Sequence, residues 1–248
     1  MSRKFIVLDV EGYSTCRPYD VGFKVLDKSG KTYEEYSTAI MPAVFDNMCY
    51  KAKVAKVEGL AAANEMAHRN IEEILNDKDG KYLKFFDLDK FFFAFIGIIQ
   101  KYEVKRIWAY NCSFDKSALH RLFGDERFTI LNSMVEFCDI IPAILYTRLL
   151  SADFIEFCKS NDFVTDKGNI QTKAEVVYKY LTGNLDFKEA HTGLADVQIE
   201  AEILLCAMNV EKNVKRKPVQ AWKVIREFCI VNDIDLPVPD FNFGDWAD

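Results

Sequence analysis

The chain opens on a continuous apolar run, Phe5, Ile6, Val7 and Leu8, which suits a strand covered on both faces, so Lys4 to Asp9 is predicted as the first strand. Val21 to Asp27 and Thr32 to Ile40 are predicted as the second and third strands. The turn "KSGK" at Lys28 to Lys31 joins them into an antiparallel meander, and Pro42 closes it. Over about 43–84 the pattern weakens to a helix at Val57 to Leu75 and a turn at "NDKDG", Asn76 to Gly80, and this segment reads as an insertion.

Phe85 to Tyr102 is apolar nearly all round, which predicts a buried helix whose phenylalanines pack the core rather than stack on bases. "RIWAY", Arg106 to Tyr110, is a short strand leading into a helix capped by Ser113, with Phe114, Ala118 and Leu122 on one face. Further helices are predicted at Ile140 to Leu150, Ala152 to Ser160 and Thr172 to Leu181, the last stopping at Gly183. A final domain helix carries Leu194, Val197, Ala201, Leu204, Leu205 and Met208 on its core stripe. At helical spacing Asp196 lies about 120° from that stripe and should look sideways. Beyond Val210 the basic linker "EKNVKRK" leads to an amphipathic segment, Pro218 to Ile230. Val219, Trp222, Ile225, Arg226 and Cys229 share one face of it, and a tail runs to Asp248. The expected organisation is one α/β domain over 1–210 and a C-terminal extension over 211–248, which either packs back on the domain or docks a polymerase or repair partner.

Composition narrows the class. A hydrophobic share of 50% in 248 residues is ample for a sizeable core. No apolar run is long enough for a membrane span, and the N-terminus lacks a signal-peptide pattern. Seven scattered cysteines without a C-x-x-C pair disfavour both a disulfide framework and a zinc site, and the expectation is a cytoplasmic protein. The net charge of −6 gives no hint of a nucleic-acid partner.

The chemistry lies in the acids. Asp9 and Glu11, two residues apart on a strand, point to the same side, and Asp115 and Asp196 each sit just inside a helix. Four carboxylates converging on one cleft would repel strongly unless cations sat among them, and an all-oxygen set suits Mg²⁺ or Mn²⁺. Two such ions can stabilise the attacking and leaving oxygens of a displacement at phosphorus, so the acids predict a phosphodiester substrate where the net charge does not. His191 can accept a proton at neutral pH. It precedes Asp196 by five residues, which places it in the loop before the helix, with Thr192 as the cap. His68 and His120 lie in helical patterns without acidic company.

"LDVEG", "AYNCSFD" and "AHTGLAD" resemble, in order, the D-x-E, N-x-x-F-D and H-x-x-x-x-D motifs of DnaQ-like exonucleases, and His191 makes the chain look like the DEDDh branch. The resemblance runs from about Lys4 to Met208. It implies an RNase H-like fold with a mixed five-stranded sheet flanked by helices, and metal-dependent removal of nucleotides from a nucleic-acid 3′ end, single-stranded and with DNA favoured. By motif position Asp9 would be shared by both metals, Glu11 and Asp196 would complete the tighter site, and Asp115 would hold the second, partly through water. His191 would be the general base, while Asn111 and Phe114 would support the terminal nucleotide. An exoribonuclease or oligonucleotidase, and a non-catalytic nuclease-like binding subunit, are the alternatives. The chain departs from the family at Gly12 and Tyr13, where threonine is common and where the backbone would meet the 3′ nucleotide, and in the 43–84 segment. Two divalent ions would bring the net charge from −6 to −2, consistent with binding a few nucleotides through metals and stacking.

Overall fold

In the computed structural model, which describes residues 3–13, 17–45 and 61–236, one mixed sheet organises the chain. Its strands are β1 (Lys4–Tyr13), β2 (Arg17–Asp27), β3 (Thr32–Ile40), β4 (Leu83–Phe85), β5 (Arg106–Ala109) and β6 (Glu136–Asp139), in the order β4-β3-β2-β1-β5-β6. β1 to β3 form the antiparallel meander, whereas β4 joins β3, β5 joins β1 and β6 joins β5 in parallel. The helices are α1 (Ala61–Leu75), α2 (Leu88–Lys101), α3 (Cys112–Met134), α4 (Ile140–Ile144), α5 (Ala152–Ser160), α6 (Ala174–Thr182), α7 (Gly193–Val210) and α8 (Ala221–Val231), with a π-helical turn at Leu145–Leu149. The protein is thus α/β, with a six-stranded mixed sheet where five strands were expected.

Neither β4 nor β6 is predicted by the sequence pattern, and β4 comes out of the segment read as an insertion. Asp77 accepts hydrogen bonds from the backbone N–H groups of Lys81 (2.8 Å) and Tyr82 (3.1 Å), and Gly80 turns at φ 70°. That turn reverses the chain so that Leu83, Lys84 and Phe85 pair with Thr38, Ala39 and Ile40. The helical part of the segment, α1, packs Ala67, Ile71 and Ile74 into the core; residues 46–60 lie outside the described ones.

Alternation along β1 explains the opening apolar run. Ile6, Leu8 and Val10 join the core on one side of the sheet with Phe91, Phe95 and Phe123, beneath α1, α2 and α3. Phe5 and Val7 join the core on the other side with Trp108, Ile144 and Leu204, beneath α4 to α8. Burying each such side chain is worth about 1.5–3 kcal/mol, so both faces hold the strand in register. β1 does not end at Asp9 as predicted but continues to Tyr13, because β2 pairs with it along its whole length, with a bulge between Glu11 and Gly12. Asp9 and Glu11 therefore extend the Phe5–Val7 face and lie on the α7 side.

The phenylalanine-rich helix starts later than predicted, at Leu88, where the Asp87 side chain accepts from the Asp89 N–H. Phe91, Phe92 and Phe95 are buried as expected, but Phe86 and Phe93 are exposed. The C-terminal segment packs back on the domain: Ala221, Ile225 and Cys229 of α8 are buried, and Trp222 turns outward from that face. Among the described residues no helix is long and apolar enough to cross a membrane.

Candidate active site

The site begins with a missing side chain. Gly22 of β2 pairs opposite Asp9, on the face that α7 covers. Because Gly22 carries no Cβ, the start of α7 at Gly193 reaches the strand backbone beside Asp9: a Cβ on Gly193 would stand 2.5 Å from Gly22 N. One pair further, Asp20 lies opposite Glu11, is buried, and accepts the Gly193 N–H on Oδ2 at 3.0 Å. The cap of α7 is thus a β2 carboxylate, which suits the positive end of the helix. Thr192, predicted as the cap, makes no side-chain cap bond.

Docked this way, α7 turns Asp196 inward rather than sideways, and Glu200 one turn later with it; both are buried. The prediction of a single core stripe failed because α7 packs on β1 and β2 as well as on α4 and α6, which widens its buried arc. Atoms of Glu11, His191 and Asp196 lie within 4.8 Å of one another.

His191 precedes the helix in a loop, as expected, at φ 56°. This left-handed conformation is uncommon for a histidine and is held by neighbours. The Asn70 side-chain amide of α1 donates to the His191 carbonyl, and an Arg69 guanidinium N–H donates to the Ala190 carbonyl at 3.1 Å. The Glu189 carboxylate stands 3.8 Å from His191 Nδ1. His68 and His120, expected to lack acidic company, pair with Glu72 (3.1 Å) and Asp125 (2.7 Å) on the surface.

Asp115 arrives from the other face of the sheet. β5 pairs with β1 only at Ile6 and Val7; beyond them the Val10 N–H donates to Asp115 Oδ1 at 3.0 Å. Asp115 is buried next to Asp9, and it does not line the cleft. Its helix starts at Cys112 rather than at a Ser113 cap. Asn111 takes a left-handed φ of 60° and donates its N–H to Asp139 Oδ1 at 3.2 Å. Asn111 lines the cleft, and Phe114 is partly exposed. Gly12 stands at the β1 bulge; the side chain of Tyr13 lies outside the described residues.

Burial and mutual repulsion push this set of acids far from ordinary values. Burial first, and then the charge of Glu200, raises Asp9 well above the usual carboxylate range. Burial and the charge of Asp196 raise Glu11 to about 9, and burial, then the charge of Glu189, raises Asp196 to about 7. Burial raises Asp115 to about 8 and, despite the Gly193 bond, Asp20 to about 7. Glu200 is raised well above its normal value by burial and the charge of Asp115. Burial lowers His191, which keeps the imidazole neutral at physiological pH.

Asp9, Glu11, His191, Asp196, Glu189 and Glu200 share one cleft of about 810 Å³. The buried oxygens Asp9 Oδ2 and Asp196 Oδ1 find no hydrogen-bond partner among the described residues. Such orphaned oxygens on converging acids fit a hard divalent cation, which Glu11, Asp196 and Asp9 could hold. Four residues of this surrounding were missed in the sequence: Asp20, Glu189, Glu200 and Asp139. The i, i+4 spacing of Asp196 and Glu200 was a legible signal; Asp20 carried none. Compared with known proteins, the chain matches no protein-family model and no curated sequence.

Proposed function

We propose that the protein is a metal-dependent 3′-to-5′ exonuclease of the DnaQ-like DEDDh type, with an RNase H-like fold, acting on single-stranded nucleic-acid 3′ ends with DNA favoured. The observation that carries this reading is the meeting of Asp9 and Glu11 on one face of β1 with Asp196 and His191 at the start of α7, in one cleft with orphaned carboxylate oxygens.

Asp9, Glu11 and Asp196, with Asp115 from beneath, would hold two Mg²⁺ or Mn²⁺ ions. When bound, these supply positive charge against the scissile phosphate and its leaving oxygen. His191, neutral and partly exposed, takes the proton of the attacking water. Glu189 faces Nδ1, so Nε2 is the nitrogen left for the water. Asn111, which lines the cleft, and the partly exposed Phe114 would support the terminal nucleotide, and the Gly12 backbone would approach its sugar.

The test is a time course on 5′-labelled single-stranded DNA and RNA with free or blocked 3′ hydroxyls, in Mg²⁺ and in Mn²⁺. The expected result is a ladder shortening from free 3′ ends, faster on DNA and abolished by chelator. Internal cuts, or no metal-dependent shortening of either polymer, would contradict the proposal.

A further inference from the structure

The cleft is completed by elements outside the three motifs. One is Trp222, in the first turn of α8 and 43% exposed. Its position is fixed from both sides. Ala221, Ile225 and Cys229 anchor the helix in the core. The linker before it is tied down where the Asp139 N–H donates to the Arg216 carbonyl at 2.9 Å and Arg216 Nε donates to Glu136 at 2.7 Å. The basic run is therefore a strut.

The second element is a tight hairpin. Val164 bridges Ile170, the Thr165 N–H donates to the Asn169 carbonyl at 2.9 Å, and Gln171 N–H donates to the Phe163 carbonyl at 3.0 Å. The Tyr110 hydroxyl, donating to the Thr172 carbonyl at 2.6 Å, ties the hairpin's exit to the end of β5. Asn169 and Gln171 of the hairpin line the cleft.

Charge narrows what this wall can take. Among the described residues the cleft is lined by six carboxylates and one cation, Lys173, and these side chains do not attract a phosphate backbone. Affinity for a nucleic-acid end must then come from bound metal and from the bases, and an exposed indole on a rigid support is a stacking surface that every base fits. A volume of about 810 Å³ suits nucleotides splayed out singly rather than a duplex.

Resting on the nuclease reading, we infer that Trp222 stacks on one unpaired base of the 3′-terminal segment, with the 164–171 hairpin facing that base's polar edge. The C-terminal extension is thus part of the substrate site and selects unpaired ends.

The test is equilibrium binding of a fluorescein-labelled tetrathymidylate with hydrolysis-resistant phosphorothioate linkages, in Mg²⁺, to the full chain. Trp222→Ala should weaken binding roughly 5- to 150-fold, while Trp222→Phe keeps most of the affinity. With a series in which one sugar at a time lacks its base, the Trp222→Ala penalty should vanish at one position. Unchanged thermal unfolding of Trp222→Ala, expected for an exposed side chain, shows that the loss is local. Equal binding by Trp222→Ala and wild type, or a penalty that no abasic position removes, would overturn the inference and leave the nuclease reading standing. A wild-type chain that neither binds nor shortens the unmodified oligonucleotide would overturn the nuclease reading itself.

Discussion

Gly22 of β2 and Gly193 of α7 pack backbone against backbone, so closely that a Cβ on Gly193 would lie 2.5 Å from Gly22 N and 3.0 Å from Gly22 Cα. Since Gly22 is the register partner of Asp9, this contact fixes how far the acids of β1 stand from those of α7. Gly193→Ala must push the helix start away from the sheet. The expected outcome is a folded protein with kcat reduced about 100-fold, since displacement of about 1 Å costs that much at a reacting centre, and with stability lower by about 1–3 kcal/mol. Steady-state kinetics and urea unfolding check both.

The His191 loop depends on α1. Asn70→Ala removes the amide that holds the His191 carbonyl, and should lower kcat while leaving KM nearly unchanged. At saturating Mg²⁺, the acid limb of the wild-type rate profile should lie below the ordinary imidazole value of about 6.5, because burial lowers His191. A general base works only when neutral, so the rate rises through that limb and levels above it. His191→Asn should remove the limb together with most of the rate, as pH-dependent kcat measurements would show.

Metal-free stability carries the signature of the crowded acids. Folded values near 7 for Asp196, 8 for Asp115 and 9 for Glu11 lie above the unfolded value of about 4. The native state then binds more protons than the unfolded chain between those limits. The cluster's contribution is therefore fully present below about pH 4 and is lost as pH rises through 7 to 9. In EDTA the melting temperature should fall from pH 6 to pH 9. Added Mg²⁺ should raise it by more at pH 9 than at pH 6, as protons no longer compete for the carboxylates. Melting curves at four pH values, with and without Mg²⁺, decide it.

The C-terminal helix should matter for the whole domain. Ile225→Ala removes a core side chain that is 1% exposed and should cost about 2–5 kcal/mol in stability. Deleting Glu211 to Asp248 should lower both melting temperature and activity; a dispensable docking tail would change neither.

Much of this arrangement was legible. The apolar run of β1, the bounds of β3 and α5, and the left-handed Gly183 ending α6 follow from local pattern, and each is found as read. The motif spacing brought Asp9, Glu11, Asp196 and His191 to one cleft. What escaped is set by distant partners. The α7 cap comes from Asp20, 173 residues earlier, so local cap chemistry pointed to Thr192 instead. Asp196 faces inward because two layers enclose α7, which a single-stripe reading of one helix does not register. β1 runs past Asp9 and Glu11, although carboxylates in a local pattern suggest a strand's end, because β2 continues the pairing beyond them. Helical spacing puts Trp222 on one face with Ile225 and Cys229, yet the core takes Ala221, Ile225 and Cys229.

Asp9 and its neighbours are proposed to hold metal for phosphodiester cleavage. The most direct measurement compares wild type with Asp9→Ala, purified in parallel, on a 5′-labelled single-stranded oligonucleotide in Mg²⁺. The expected result is stepwise shortening from the 3′ end by the wild type and a loss of at least about 1,000-fold in the folded variant, the scale set by removing a group that acts only in the transition state. Shortening by Asp9→Ala at the wild-type rate would contradict it.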